Sequence, residues 1–396
     1  MQCFFIYFIA LSMPGHLLRS IIGTALYFSI FVCLSTATLE HSAKLSNIVE
    51  PKGVERSTRL DNTIDSKSSQ EGFRFFRKEP SIVTSIIVGV YNKGNFDGFL
   101  LIDRGRPPLG PALPGGIVRY KEKPEDCVKR TLFDECGISS ISNMQQFRVY
   151  SDPARDPRMH AVDVAYSVRI DDQKISSGTD AKHTWVCPLD KIPWDKLVFD
   201  HKDMLKAYCE YLIASNDPVE QPEKIKLGST TKNGARNKND FESVAKQAYR
   251  PPHLFVAGIV EVYEDSELKG IAIADFKQEQ NVKLLPAGGV AYGETVEQAF
   301  QRNMKEKYHA ETSILNQFKT YSFLNDAGKK HDITSVFLVK ANKKDLGDLH
   351  VYTLDSIPLE KLGFHHKDML EDYLKYRRGE KVDLCTECKS AKVVSK

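Results

Sequence analysis

The chain carries one sequence pattern twice, and this internal duplication limits the folds it can adopt more than any other feature. The segment DKIPWDKLVFDHKDML begins at Asp190 and the segment DSIPLEKLGFHHKDML begins at Asp355, an offset of 165 residues. Nearer the start of each copy, Pro114 matches Pro286 at an offset of 172 residues. A repeat of this length predicts two copies of one domain-sized module.

Composition divides the chain around these copies. Residues 74–215 and 250–378 contain the repeated patterns and are predicted to fold as domains. Residues 38–73 and 216–249 are rich in Ser, Thr, Asn and Lys with few aromatic side chains, which is typical of polar linkers. Residues 379–396 are predicted to form a tail.

Residues 1–37 are predicted to be a signal peptide or a membrane anchor. The run from Ser20 to Ala37 carries no charge over 18 residues, which is long enough to cross a bilayer if it is not removed. Its last three residues, Ser-Thr-Ala, offer a small-x-small cleavage site. We therefore expect entry into the secretory pathway, with the protein secreted or anchored through this segment. A misassigned start codon is the alternative.

The charge balance excludes two classes of partner. The chain has 55 basic and 52 acidic residues, a formal net charge of +3. A balance this close argues against binding to nucleic acid or to an anionic bilayer surface. We expect no nucleic acid partner, and contact with a membrane only through the N-terminal segment.

Hydrophobic periodicity predicts an α/β (α+β) module in which mixed strands are covered by helices. Apolar runs from Ile82 to Val90 and from Phe99 to Ile102 indicate strands, and the run from Ala161 to Val168 alternates as a half-buried strand does. A helix is predicted from about Pro124 to Cys136, because proline suits a first helical turn. Another helix is predicted from about His201 to Leu212.

The segment that follows the first two predicted strands resembles the sequence box of the Nudix hydrolase family, G-x5-E-x7-R-E-U-x-E-E-x-G-U, where U is aliphatic. The matching residues are Gly116, Glu122, Arg130, Leu132, Glu135, Gly137 and Ile138. Asp134 is a shortened equivalent of a box glutamate, and Thr131 departs from the box. Many fixed positions make the signal specific. The resemblance implies a tandem Nudix-type α/β/α sandwich with a mixed β-sheet, preceded by the hydrophobic leader.

The resemblance also implies a metal site, and helix geometry supplies a physical reason for it. Positions 131, 134 and 135 are related by three and four residues and so share one helix face, where the carboxylate oxygens of Asp134 and Glu135 would suit Mg or Mn bound to a diphosphate, with Gly116 as a further metal contact. Glu122 and Arg130 are predicted to brace the loop against the helix as an ion pair. Together with the two acids, they are the predicted catalytic residues. A solvated helix end is the alternative, but acids in a last turn oppose the helix dipole.

Thr131 stands where the family usually has a glutamate that binds metal or acts as the base. A threonine hydroxyl is neutral at pH 7 and offers at most a weak oxygen ligand. Asp171, Asp172 and Asp180 lie outside the box and are candidates for a replacement base.

The turn Pro153–Arg158 is similar to one in the ADP-ribose pyrophosphatase-like branch of the family, where it lines the ribose-phosphate pocket. The resemblance implies that Arg155, Asp156 and Arg158 bind substrate, since guanidinium groups fork onto phosphate or ribose oxygens. A proline-rigid turn with an internal Arg-Asp pair is the alternative. A nucleotide such as ADP-ribose is the expected substrate.

The second copy has lost parts of the box. It retains Gly288, Glu294, Arg302 and Glu306 but has Asn303, Lys307 and His309 at other key points. Lys307 places a fixed positive charge where a cation would lie, so we predict that this copy is catalytically inactive and that it pairs with the first copy within the chain. His201 and His366 match between the copies and are predicted to lie at a shared structural helix start.

The leading hypothesis is a metal-dependent hydrolase that cleaves the diphosphate of a nucleoside diphosphate linked to another moiety. ADP-ribose would give AMP and ribose 5-phosphate. One alternative is a catalytically impaired nucleotide-binding or sensor protein, which Thr131 and the degenerate copy would allow. A membrane-tethered scaffold is the third.

Overall fold

The structure is a computed structural model that describes residues 79–172, 175–176, 181–214, 224–226, 251–324 and 330–385. All of these residues belong to one compact unit, Arg74–Lys396. The predicted leader at 1–37 and linker at 38–73 lie outside the described residues, as does most of the linker at 216–249. No helix within the described ranges is long and apolar enough to cross a membrane.

The first module has a mixed sheet of eight strands in its described part. The strands are β1 (Ser81–Asn92), β2 (Asn95–Arg104), β3 (Pro111–Ala112), β4 (Gly115–Ile117), β5 (Ser140–Tyr150), β6 (Ala161–Asp171), β7 (Ala181–Cys187) and β8 (Lys224–Lys226). The helices are α1 (Pro124–Cys136) and α2 (His201–Ala214). The strand order is β3-β2-β1-β6-β5-β8, with β4 beside β1 and β7 beside β2. Strands β1 and β6 are parallel, and the other pairs are antiparallel.

The second module repeats this arrangement with seven described strands. They are β9 (His253–Glu264), β10 (Glu267–Asp275), β11 (Lys283–Leu284), β12 (Ala287–Gly289), β13 (Ser313–Leu324), β14 (His331–Asn342) and β15 (His350–Tyr352). Its helices are α3 (Val296–Tyr308) and α4 (His366–Arg377). The order is β11-β10-β9-β14-β13, and the parallel pair β9–β14 stands where β1–β6 stands in the first module. The predicted α/β class with two mixed sheets is confirmed.

Each sheet is buried on both faces by its helices. Along β1, Ile86 and Val88 join the apolar core on the α1 face, whereas Ile87 joins the core on the α2 face. This alternation follows from the two-residue period of a strand. Val128 and Leu132 of α1 complete the first core, and both are fully buried. The apolar face of α1 therefore holds the helix against the sheet.

Helix α1 has the bounds predicted from the sequence. Pro124 occupies its first turn, and Glu125 and Asp126 lie near its positive end. Gly137 ends the helix with a left-handed φ of 64°, and its N–H donates to the Leu132 carbonyl. Local end signals therefore place the acids of the box in the last two turns.

Hydrogen bonds join the two modules in pairs related by the duplication. Gln146 Nε2 donates to the Thr320 carbonyl at 2.7 Å, and its Oε1 accepts from the Thr320 N–H at 2.8 Å. The matching Gln317 makes the same two bonds to the backbone of Val149, at 3.0 and 2.6 Å. One apolar cluster also contains buried residues of both modules. The contacts between the described modules thus have approximate twofold symmetry.

Two described segments extend the folded regions past the predicted boundaries. Lys224–Lys226, within the predicted linker at 216–249, pair with β5 as an added edge strand. Leu384 and Cys385, within the predicted tail at 379–396, are buried, and a backbone hydrogen bond ties Cys385 to β13. The linker and the tail that contain these residues are polar on average, so composition did not reveal these short pairings.

Two buried histidines occupy the same place in the two modules. His201 starts α2 and His366 starts α4, as the match between the copies predicted. The Nδ1 of His201 accepts from the Leu113 N–H at 3.0 Å, and the Nδ1 of His366 accepts from the Leu285 N–H at 2.9 Å. Burial lowers the pKa of His201 to about 3 and that of His366 to about 4, so both rings stay neutral.

We expect the protein to lose stability as the pH falls from about 7.5 to about 5, because these histidines stay neutral only in the folded state. An unfolded histidine binds a proton near pH 6.5, whereas the folded pKa values are about 3 for His201 and about 4 for His366. The unfolded state therefore binds more protons, and each histidine costs about 2 kcal/mol of unfolding free energy by pH 5. Urea unfolding across this range should show a shallower pH slope for His201→Asn, which keeps the acceptor without titrating. An unchanged slope would contradict this account.

Candidate functional site

A strong ion pair fixes the box loop to helix α1. Arg130 Nε donates to Glu122 Oε1 at 2.5 Å, and its Nη2 donates to Oε2 at 2.9 Å. The same Nη2 donates to the Ile117 carbonyl at 3.1 Å, and Glu122 accepts from the Arg119 N–H at 2.9 Å. Burial opposes the charge of Arg130, but the bonds to Glu122 outweigh burial and raise the pKa of the guanidinium. The pair has the bracing geometry predicted from the sequence.

A close contact sets the loop against the middle of α1. A Cβ on Gly116 would lie 2.6 Å from Thr131 Oγ1 and 3.4 Å from Cys127 Sγ, so this position accepts only glycine without a shift. Thr131 is fully buried, and its hydroxyl has no hydrogen-bond partner of ordinary geometry within the described ranges. It nevertheless lies near enough to the Cys127 thiol to influence the pKa of that group. Thr131 therefore faces the loop from inside the core.

Asp134 and Glu135 lie in the last turns of α1 and are partly buried. Asp134 interacts with the charge of Arg130, and Glu135 interacts with that of Arg104. In the described part of the chain, no group of three or more His, Cys, Asp or Glu side chains is placed to hold a metal ion. Thr131 stands where the box has a further acid. Two carboxylates remain, a number that commonly serves Mg²⁺ when substrate phosphates complete the coordination.

The three aspartates predicted as replacement bases differ in their placement. Asp171 Oδ1 accepts two hydrogen bonds from Arg169, at 2.7 and 2.9 Å. Asp172 Oδ1 accepts from the Lys93 N–H at 2.8 Å. Asp180 lies outside the described residues. Both described acids are thus engaged at the end of β6, and the identity of the base stays a prediction.

The turn predicted to bind substrate is held by two sets of ion pairs. Arg155 is buried, and its Nη2 donates to Asp163 at 3.0 Å and to Asp200 at 2.7 Å. Arg158 Nη2 donates to Asp156 at 2.8 Å, and the bonds from Arg158 overcome burial and lower the pKa of Asp156. Arg155 therefore shapes the turn from inside, whereas the Arg158 side chain is 44% exposed and accessible to a ligand. Substrate binding by these residues stays a prediction.

One aromatic side chain at the site was not predicted from the sequence. The guanidinium of Arg104 lies 4.8 Å from the centroid of the Phe199 ring, and that of Arg158 lies 5.2 Å from it. Burial and then the charge of Arg158 lower the pKa of Arg104, while Asp156 and Glu135 act in the opposite direction. Two guanidiniums on one ring therefore concentrate positive charge, and Glu135 of α1 lies within electrostatic range of Arg104.

The duplication contained a signal for this residue. Phe199 matches Phe364 in the repeated segment, and each lies two residues before the first residue of a helix. Both residues have a positive φ, 59° and 53° respectively, which side chains with a Cβ rarely adopt. An aromatic residue that both copies keep at a left-handed backbone position is a signal that the orientation of its ring matters.

In the second module, the matching site is closed by its own side chains. Lys307 stands at the position of Glu135, and its ammonium group donates a hydrogen bond to the Ala287 carbonyl at 3.0 Å. Asn303 fills the space between loop and helix so tightly that a Cβ on Gly288 would lie 1.8 Å from its Oδ1. An ammonium group therefore lies where a metal would require carboxylates. This arrangement favours the prediction that the second copy is inactive.

Residues 81–208 match the family model of the NUDIX domain. The chain is 31% identical over 156 residues to an ADP-ribose pyrophosphatase of Methanocaldococcus jannaschii, which covers 39% of this chain and 86% of that protein. Among solved structures, a MutT/nudix family protein from Enterococcus faecalis is 30% identical with a TM-score of 0.31, covering 36% of this chain and 65% of that one, slightly less than two thirds of its length. The NUDIX domain of Shewanella oneidensis NrtR complexed with ADP ribose is 22% identical with a TM-score of 0.32, covering 35% of this chain and 90% of that one.

We expect Glu122→Gln to destabilise the protein by roughly 1.5–3 kcal/mol, because it leaves the buried charge of Arg130 without its counter-ion. The matched control is Glu294→Gln, which breaks the equivalent pair with Arg302. That pair has an arginine 35% exposed, against 11% for Arg130, so its loss should cost less. Chemical unfolding of both variants measures the difference. Equal losses would mean that burial does not set the strength of the brace.

Proposed function

The chain belongs to the Nudix family, and we propose that its first module is a diphosphatase acting on a nucleoside diphosphate linked to another moiety. ADP-ribose is the favoured substrate, because a relative at 31% identity is an ADP-ribose pyrophosphatase. One observation carries the proposal: the guanidiniums of Arg104 and Arg158 lie 4.8 and 5.2 Å from the centroid of the same ring, that of Phe199, and Glu135 opposes the lowering of the Arg104 pKa that burial causes. A group suited to a cation, Glu135, thus lies within electrostatic range of Arg104, a group suited to a phosphate.

Asp134 and Glu135, with the backbone of Gly116, would hold Mg²⁺ or Mn²⁺. The donor set fits these ions, since hard oxygen ligands suit them and a glycine leaves the loop backbone open to approach. The bound ion would supply charge neutralisation at the diphosphate and a more acidic attacking water.

The remaining side chains bind and orient the substrate. Arg104 and Arg158 present planar guanidiniums that match phosphate oxygens bidentately. Arg104 Nε donates to the Pro108 carbonyl at 2.9 Å, which fixes the direction of its fork. The ring of Phe199 packs against both guanidiniums. The ion pair of Glu122 with Arg130 holds the loop against the helix. These side chains would thus orient the diphosphate before water attacks it.

A second candidate function follows from the burial of Thr131. Its hydroxyl points at the loop and carries no charge, so the module has one acid fewer than the family box for binding metal or activating water. A module that keeps the arginine pair with fewer acids would bind a nucleotide and release it unchanged. The alternative is therefore a sensor of ADP-ribose or a related nucleotide.

Turnover of ADP-ribose by the whole chain in Mg²⁺ or Mn²⁺ separates the two functions. If the first module is an enzyme, Glu135→Gln should lower kcat on the order of 10²- to 10⁴-fold, because it removes a charged group from the reacting centre. The matched control is Lys307→Gln in the second module, which should leave kcat unchanged. Release of AMP, followed by chromatography, is the measurement.

The sensor hypothesis predicts another pattern in the same assay. The unchanged protein would bind ADP-ribose in calorimetry without producing AMP, and Thr131→Glu or the shorter Thr131→Asp would gain turnover. Both replacements are needed because the space beside Gly116 is narrow. Turnover by the unchanged protein that Glu135→Gln does not reduce would refute the site proposed for the enzyme.

We expect the arginine pair to contribute mainly to substrate affinity. Arg104→Lys keeps the charge but loses the planar fork, and Phe199→Leu removes the ring that supports it, so each should raise KM for ADP-ribose about tenfold with a smaller change in kcat. Phe364→Leu, at the matching position of the second copy, is the control and should leave KM unchanged. Steady-state kinetics of the three variants would contradict this assignment if Phe364→Leu had the same effect as Phe199→Leu.

A further inference from the structure

We propose that the second module positions the first, with His331 holding the loop that carries Glu122 in place across the module interface. The consequence for catalysis rests on the proposed hydrolase function, whereas the contact itself does not. His331 is a positioning residue, since it acts on the site through the loop.

The contact is a partly buried hydrogen bond between the modules. The Lys121 backbone N–H donates to His331 Nδ1 at 3.2 Å, and His331 is fully buried at the start of β14. With Nδ1 accepting, Nε2 carries the proton and donates to Ser322 Oγ at 2.8 Å. The ring of Tyr120 packs against the imidazole edge-on, with centroids 6.2 Å apart. The imidazole is therefore fixed on both sides, with its acceptor turned towards the loop.

The loop has a particular need for this acceptor. Lys121 has a φ of 66°, a left-handed conformation that is unfavourable for a residue with a Cβ. The next residue is Glu122, whose carboxylate makes the brace with Arg130. A shift of the backbone at Lys121 would displace Glu122 and so disturb its ion pair with Arg130. Arg130 also interacts electrostatically with Asp134, so the disturbance would reach the candidate site. The second module thus stabilises the strained residue beside the candidate site.

The equivalent contact on the loop of the second module involves a glycine in place of Lys121. The Gly293 N–H donates to His160 Nδ1 at 3.1 Å, and Tyr292 packs against His160 with ring centroids 5.3 Å apart. Gly293 has a φ of 90°, which glycine adopts without strain. One histidine therefore supports a strained loop at the candidate site, and the other supports a relaxed loop in the degenerate copy.

Hydrogen exchange of residues 119–123 in the whole chain tests the contact without requiring turnover. In His331→Ala, the Lys121 amide loses its acceptor, so exchange in this segment should rise roughly fivefold or more. His331→Asn, whose Oδ1 can replace Nδ1 as the acceptor, should restore most of the protection. Calorimetry should show weaker binding of Mn²⁺ and of ADP-ribose in His331→Ala, by a similar factor, and recovery in His331→Asn.

His160→Ala is the matched control, because it removes the symmetric bond on the other loop. It should lower the melting temperature about as much as His331→Ala while leaving exchange at 119–123 and ligand binding unchanged. Unchanged exchange in His331→Ala, or equal acceleration in both variants, would overturn the proposal. Absence of ADP-ribose hydrolysis in every variant and in the unchanged protein would refute the proposed function, while the exchange result would still decide the role of His331.

Discussion

The packing of Gly116 against Thr131 is the steric constraint on which the candidate site depends. The loop approaches α1 so closely that a Cβ at Gly116 would lie 2.6 Å from the threonine hydroxyl. This approach brings Glu122 into contact with Arg130, and the resulting ion pair holds the loop beside the end of the helix that carries Glu135. A larger residue at Gly116 would therefore separate the loop from the carboxylates before it touched any ligand.

The two copies keep the same scaffold and differ in the charges placed on it. The second copy preserves the brace as Arg302 with Glu294, at 2.9 and 2.7 Å. It replaces the acid of the first copy with Lys307, whose ammonium is bound by the Ala287 carbonyl. Glu306 and Lys307 thus place one carboxylate and one ammonium where the first copy has two carboxylates, so the attraction for a divalent cation is lost while the ion pair of the loop is retained.

The sequence was sufficient for features that depend on neighbouring residues. The duplication and the periodicity predicted two α/β modules, and end signals such as Gly137 gave the bounds of α1, because helix termination is a local effect. It was insufficient where distant residues meet only after the sheet has formed. Arg155 finds Asp200 from 45 residues away and becomes buried, and Arg104 meets Phe199 through the packing of β2 against the start of α2. The spacing of residues along the chain does not predict such long-range contacts.

The reciprocal bonds of Gln146 and Gln317 have a consequence for how this molecule can vary. In a homodimer of single modules, every substitution appears in both halves, so a half that only supports its partner could not arise without disarming the partner too. Here one polypeptide encodes both halves, and their association is intramolecular and insensitive to dilution. Each half is then free to accumulate its own mutations, and division of labour between them becomes heritable in a single gene.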